Sequence, residues 1–367
     1  MEFTKNESLK AKGIGILLLL FHHLFHNVSR YESYFTRLSR FSLETLGFIG
    51  TAARVCVFVF VFLSAYGIAM LYGKKSETVT TMQFCAKRWL SLMRGFWFIF
   101  PVYFLAAAVC GMHPLAKYEG NVFLILADWF GLADLFGTPT LCGAWWYMAF
   151  AQVLVFLIPV LYPLCKKIGW AAAVFAVIVL QYLPDGIQSP YGGVYQQYVF
   201  AAILGILCVQ QNTFGRIPQR RGVGNVFRGA LLGVAILVFL RLRFVFLPEN
   251  FPYQNNWNLP WLLYSGAAVF ICVFSFLYLR GWIGKTLAYL GKHSGNMFFI
   301  HLLFLNGMPN VIFYTGTVLG SWLTLLAISL AASIAIEWLK KLLHYNQWID
   351  SIVQRLEARQ RSSIAAE

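Results

Sequence analysis

The chain has 367 residues, of which 59% are hydrophobic (AVILMFWYC) and 12% charged, against about 25% charged in soluble domains. Lysine and arginine outnumber aspartate and glutamate by 29 to 14, a formal charge of +15. These values exclude a soluble globular enzyme, a disordered chain and a disulfide-stapled secreted module. The cations fall between hydrophobic blocks, so they read as membrane topology and not as a nucleic-acid surface. The seven cysteines are scattered with no CxxC, which supports neither a disulfide framework nor a metal site.

A crossing helix needs about 20 mostly apolar residues. Such segments run over 11–30, 46–72, 93–112, 144–165, 168–184, 194–211, 229–247, 259–279, 286–307 and 317–341. The first has a basic start and an apolar run but no small-residue cleavage site, so it is expected to be retained as a span. Segment 121–136 is short and carries Asp128 and Asp134, and is expected to be a re-entrant or interfacial helix. The expected fold class is therefore an all-α integral membrane protein of about ten transmembrane helices plus that short helix.

Cation placement fixes the expected orientation. With the N-terminus inside, the inner segments hold 22 lysines and arginines, among them Lys74, Lys75, Lys87, Arg88, Arg216, Arg220 and Arg221. The outer segments hold four: Arg30, Arg37, Arg40 and Lys117. That asymmetry puts both termini in the cytoplasm. A membrane domain over 1–342 is expected, followed by a cytoplasmic tail, 343–367. In the tail, Trp348, Ile349, Ile352, Val353 and Leu356 share one face of an amphipathic helix.

Ionisable groups within spans are functional candidates by default. Lys12 and His23 lie eleven positions apart, which at about 100° per residue is close to three full turns and about 16 Å of rise. They share a face, with His26 one turn further along it and His22 turned aside. A mid-membrane imidazole can exchange a proton near neutral pH. Further intramembrane polar groups are Arg54, Ser64, Gln152, Ser294, Asn296 and His301, and Glu337 is the only acid inside the expected spans. The scarcity of carboxylates argues against an ion-coupled carrier. Lys87, Arg88 and Arg94 form a basic rim suited to phosphates.

Together these segments resemble the membrane acyltransferase-3 family. The likeness rests on four stretches in the family's order: Lys12 and His23 in the first span; FVFLSAYG, with Phe62, Leu63, Ser64 and Tyr66, in the second; AWWYMAFAQVLVFLIP, with Trp145, Trp146, Gln152 and Pro159, in the fourth; and LGKHSGNMFFIH, with Gly291, Lys292, Ser294 and His301, in the ninth. The chain departs from the family pattern at Lys12, where arginine is usual, at Ser91, the second member of an arginine pair that Arg88 begins, and at Ala65, where glycine is usual.

The resemblance implies transfer of an acyl group, usually acetyl from coenzyme A, to a hydroxyl of an extracytoplasmic or lipid-linked glycan, in a bacterial inner membrane. On that reading His23 is the general base or transient acyl carrier, and His301, in the outer half of the ninth span, is a second catalytic residue that reaches the same chamber and, like Arg54, orients the acceptor or stabilises the oxyanion. Lys12, Lys87, Arg88 and Arg94 hold the acyl-CoA. Arg54, Ser64, Trp146, Gln152, Ser294 and Asn296 position the acceptor or stabilise the oxyanion. Acetyl-CoA or another acyl-CoA is the co-substrate; no metal and no nucleic acid are expected, and the partners are membrane lipid and the glycan. Two other readings fit the composition: a transporter or flippase for a glycolipid or polyisoprenoid-linked sugar, and a non-catalytic membrane scaffold derived from such an enzyme.

Overall fold

Thr4 starts the first helix, α1 (Lys5–Phe25), by accepting the Glu7 amide N–H on its hydroxyl, and a Glu7–Lys10 ion pair of 2.6 Å braces the first turn. In this computed structural model, residues 3–35, 37–182, 188–189, 193–217, 223–245 and 259–364 are described. Arg220 and Arg221 of the inner cations lie outside the described residues, as do the ends 183–184 and 246–247 of two expected spans.

The helices that follow are α2 (Arg40–Ala52), α3 (Val55–Lys75), α4 (Thr81–Val109), α5 (Val122–Trp129), α6 (Ala133–Phe136), α7 (Trp146–Ile168), α8 (Ala171–Tyr182), α9 (Gln196–Gln210) and α10 (Thr213–Arg216). Beyond them come α11 (Val223–Val245), α12 (Leu259–Tyr278), α13 (Gly281–Gly307), α14 (Pro309–Ile312), α15 (Val318–Leu342) and α16 (Tyr345–Ile364). Among the described residues the only strand pairing is a two-residue antiparallel ladder, Gln188–Ser189 with Gly193–Val194.

Each of the ten expected spans overlaps helix, but 46–72 is divided between α2 and α3, so that Arg54 lies at the break between them, and 11–30 runs past the end of α1. Among the described residues, six stretches are long and apolar enough to cross a bilayer: Lys5–Phe25, Ser42–Lys75, Thr81–Val109, Gly143–Ile168, Trp261–Tyr278 and Val318–Leu342. Their outward faces are apolar, with Val109 88% exposed on α4 and Trp338 63% exposed on α15, surface that lipid and not water must cover. The chain is thus a multi-pass, helical membrane protein. Helices α8 and α9, with 12 and 15 residues, fall short of the roughly 20 needed for a full crossing. Helix α9 stops where Asn212 adopts the left-handed conformation (φ 48°). Segment 121–136 breaks into the two short helices α5 and α6, neither long enough to cross.

Their carboxylates explain that break. Asp128 is buried and accepts three hydrogen bonds, from the Tyr118 hydroxyl (2.6 Å), the Thr140 hydroxyl (2.9 Å) and the Leu141 N–H (2.8 Å). Burial pushes the Asp128 carboxyl up to about 6, the three donors opposing the shift. Asp134 accepts from Ser189 (2.7 Å) and Tyr195 (2.6 Å), tying α6 to the start of α9. Gln152 of α7 completes the anchorage. Its side-chain oxygen accepts the Trp89 indole N–H at 2.6 Å, and its amide donates to the Phe130 and Gly131 carbonyls, both at 3.0 Å.

Helices α1 and α13 lie side by side and run in the same direction. Gly13 backs onto the Leu287 main chain and Gly291 onto the Leu9 carbonyl, with no room for a Cβ at either position. At the start of the pair, Lys10 donates to the Leu279 carbonyl at 2.8 Å. Two glycines in register let the backbones approach as close as helices can. Such a parallel pair requires an even number of chain reversals between α1 and α13, which the expected ten-segment scheme has.

Candidate functional site

The glycine contact sets what lies further along both helices. His23 is ten residues after Gly13, and His301 ten residues after Gly291. At about 1.5 Å per residue both imidazoles sit about 15 Å beyond the contact. They meet with ring centroids 4.7 Å apart and planes at 50°.

His301 is wholly buried. Its Nδ1 lies 2.8 Å from the Phe298 carbonyl, one turn back on α13, and that oxygen can only accept. The proton is therefore on Nδ1, and Nε2 presents a lone pair that has no hydrogen-bond partner. The His23 ring has no hydrogen bond to a described residue, and its contacts are the rings of His22 (5.1 Å), His26 (5.9 Å) and His301. One imidazole with an oriented, unpaired nitrogen stands beside a second whose tautomer its neighbours leave open. That arrangement can take a proton from a hydroxyl and return it.

The other histidines support the pair. His22 donates through Nδ1 to the Gly50 carbonyl (2.8 Å) and stacks on His26 at 4.6 Å. His26 donates to the His22 carbonyl at 2.8 Å. Gly50 packs its Cα against the Phe25 and His26 main chain, which brings the C-terminal part of α2 onto the end of α1. His26, expected on the His23 face, is nearer the His22 ring in the folded helix.

Arg54 precedes α3, donates to the Tyr198 hydroxyl at 2.9 Å and lies within electrostatic reach of His22 and His26. Ser64 faces the Tyr147 hydroxyl at 3.4 Å. Trp146 packs among Tyr147, Tyr195 and Tyr198, the last at 5.2 Å. Trp146 and Tyr147 of α7 and Tyr195 and Tyr198 at the start of α9 form one aromatic wall with Phe58 and Phe150.

Lys12 and Arg88 lie within electrostatic reach of one another towards the N-terminal end of α1, and Lys12 has no ion-pair or hydrogen-bond partner among the described residues. The Arg88 Nε–H is buried and without an acceptor. Two cations within reach of one another repel, and an anion bound beside both relieves the repulsion. Lys87, on the preceding turn position, is exposed. Arg94 is placed otherwise: its guanidinium pairs with Asp350 of α16, and its carbonyl accepts the Tyr345 hydroxyl at 2.9 Å.

Three other candidates hold helices together. Ser294 returns its hydroxyl to the Gly291 carbonyl (2.8 Å). Asn296 donates to Glu337 (2.8 Å) and accepts from Lys340 (3.2 Å), closing a polar triad between α13 and α15. Gln152 has its hydrogen-bonding capacity committed to Trp89 and the 130–131 turn. Sequence reading missed Tyr198, Tyr147 and the contact of Arg30 with α1, in which the Arg30 guanidinium donates to the His23 carbonyl. A lone tyrosine in an apolar span and an arginine in a loop carry no spacing signal. Among the described residues no group of three or more His, Cys, Asp or Glu is arranged to hold a metal ion.

Fold and site thus define a polytopic helical membrane protein with paired, buried imidazoles between two parallel helices. An acyltransferase-domain family model (Acyl_transf_3) matches residues 10–339, nearly the whole chain. The chain belongs to the acyltransferase-3 family, and is a membrane acyltransferase. No curated protein matches it, and no solved structure does.

Proposed function

We propose that the chain moves an acyl group, acetyl in the first instance, from cytoplasmic acyl-CoA to a hydroxyl of an extracytoplasmic or lipid-linked glycan, as a multi-pass protein of a bacterial inner membrane with both termini in the cytoplasm. The observation that carries the reading is the His23–His301 pair, with its oriented, unpartnered Nε2. The family supplies the reaction class. The sequence's cation asymmetry supplies the orientation.

The chemistry balances with these groups. The acceptor O–H gives its proton to an imidazole nitrogen as the oxygen attacks the thioester carbonyl. The tetrahedral intermediate collapses with cleavage of the C–S bond, and the imidazolium proton passes to the departing thiolate, releasing coenzyme A and the O-acyl glycan. Alternatively His23 takes the acyl group first and passes it on. Lys12 and Arg88 hold the phosphates of the donor. The Arg54–Tyr198 pair lies on the acceptor side, where a donor to the developing oxyanion lowers the barrier.

Intact-glycan mass spectrometry of cells with and without the chain tests the proposal. A mass difference of one acyl unit, lost again in the His301→Ala strain, is expected. Glycans of unchanged mass but altered surface abundance would replace the proposal with sugar-lipid transport.

A further inference from the structure

Past the end of α1, the Arg30 guanidinium stands beside a group of imidazoles with no carboxylate to balance it. His22, His23, His26 and His301 form one ring cluster, with neighbouring centroids 4.6 to 5.9 Å apart. Arg30, on the short turn Val28–Arg30 that follows α1, lies within electrostatic reach of His23, His26 and His301. It is half-buried. One N–H of its guanidinium is spent on the His23 carbonyl, and the remaining donors have no acceptor among the described residues. No described Asp or Glu pairs with Arg30 or with any of the four imidazoles.

A partly desolvated guanidinium without a counter-ion is costly, and the cost is relieved by an anion that accepts its free N–H groups. Arg30 holds the main chain of His23 and not its ring, so it leaves the imidazole free for proton transfer and offers its fork to a group alongside. A standing charge matches it better than a transient oxyanion, because the cation is uncompensated throughout the cycle. A neutral sugar hydroxyl offers it no such balance.

We propose that Arg30 binds an anionic substituent, a phosphate or a carboxylate, carried by the acceptor next to the hydroxyl that is acylated. The inference rests on the proposed function for the word acceptor, and on the uncompensated Arg30 guanidinium for the anion. It narrows the acceptors to acidic or phosphate-linked sugars.

The test uses the full chain in detergent micelles, with thermal protection followed by tryptophan fluorescence and with glucose 1-phosphate, glucuronate and glucose as probes. At least one of the two anions protects and glucose does not; the more effective anion tells phosphate from carboxylate. Arg30→Gln raises the half-protecting concentration at least tenfold. Arg37→Gln, an exposed cation on the following loop, leaves it unchanged. Equal protection by glucose, protection by neither anion, or wild-type behaviour of Arg30→Gln overturns the proposal. The comparison of anions with glucose needs no variant, so it decides even if Arg30→Gln does not fold. Anion binding by a protein that transfers no acetyl would sink the proposed function and spare this inference; transfer to glycans with no preference for acidic sugars would do the reverse.

Discussion

Replacing Gly291 with alanine would disturb the site at its foundation without touching either histidine. A Cβ built on Gly291 falls 2.7 Å from the Leu9 carbonyl carbon and 3.1 Å from the Gly13 nitrogen, where ordinary contact begins at 3.4 Å. The obstacles are backbone atoms of a regular helix and cannot swing aside. Parting α1 from α13 enough to clear the Leu9 carbonyl carbon alone takes about 0.7 Å, and the carbonyl oxygen, nearer still, requires more. Overpacking of this kind costs about 1–3 kcal/mol. A displacement near 1 Å between reacting groups can cost up to about 100-fold in rate. Gly291→Ala is therefore expected to lower the melting temperature in detergent and to cut acyl transfer, read as coenzyme A release, by roughly 10- to 100-fold. Gly295→Ala is the control. It lies four residues further along the same helix, is exposed and has nothing within 4 Å of its built Cβ, so it should be neutral or slightly stabilising. A Gly291→Ala protein as stable and active as wild type would refute the claim that this contact sets the imidazole pair, and so would equal damage from Gly295→Ala.

Three further outcomes follow from the polar anchors. Asp128, with its carboxyl raised from 3.8 to about 6, adds stability that is fully present below about pH 4 and is lost as pH rises through 6. The shift is worth about 3 kcal/mol, and melting curves of Asp128→Asn between pH 4 and 7 should lose that slope; an unchanged slope would disprove the assignment. Gln152→Leu strands the Trp89 indole N–H and two carbonyls. It is expected to cost about 2–3 kcal/mol, measured by denaturation, with proteolysis at 130–131 as a second readout. Asp350→Ala breaks only an exposed pair with Arg94, in which the Asp350 side chain is 55% exposed. It should change stability by less than about 1 kcal/mol; a larger loss would mean that α16 is held through this pair.

What the sequence disclosed depended on how local the signal was. Helical segments were legible because a 20-residue apolar run has few alternatives in lipid. The shared face of Lys12 and His23 followed from one helix's periodicity. The partnership of His23 with His301 did not, because 278 positions separate them and only the packing of Gly13 and Gly291 brings α13 alongside in register. Family likeness pointed to His301; geometry supplies its tautomer. Gln152, Asn296 and Ser294 looked like site residues because polar side chains in spans are rare. Three-dimensional structure shows their hydrogen bonds committed to neighbouring main chain or helices. Asp128 and Asp134 were legible as reasons against a span, but not as the acceptors that pin α5 and α6. Arg30 registered in the sequence only as one of four outer cations, since its contact with the His23 carbonyl exists only once the chain turns back after α1.

The most direct measurement of the central claim is single-turnover transfer of labelled acetyl from acetyl-CoA by the purified full chain, with a membrane glycan fraction as acceptor. A general base in the reacting pair contributes at least about 100-fold. His23→Ala and His301→Ala should each slow label transfer by that much while melting near wild type. Wild-type transfer by either variant would contradict the account, and so would label that never leaves coenzyme A in the intact protein.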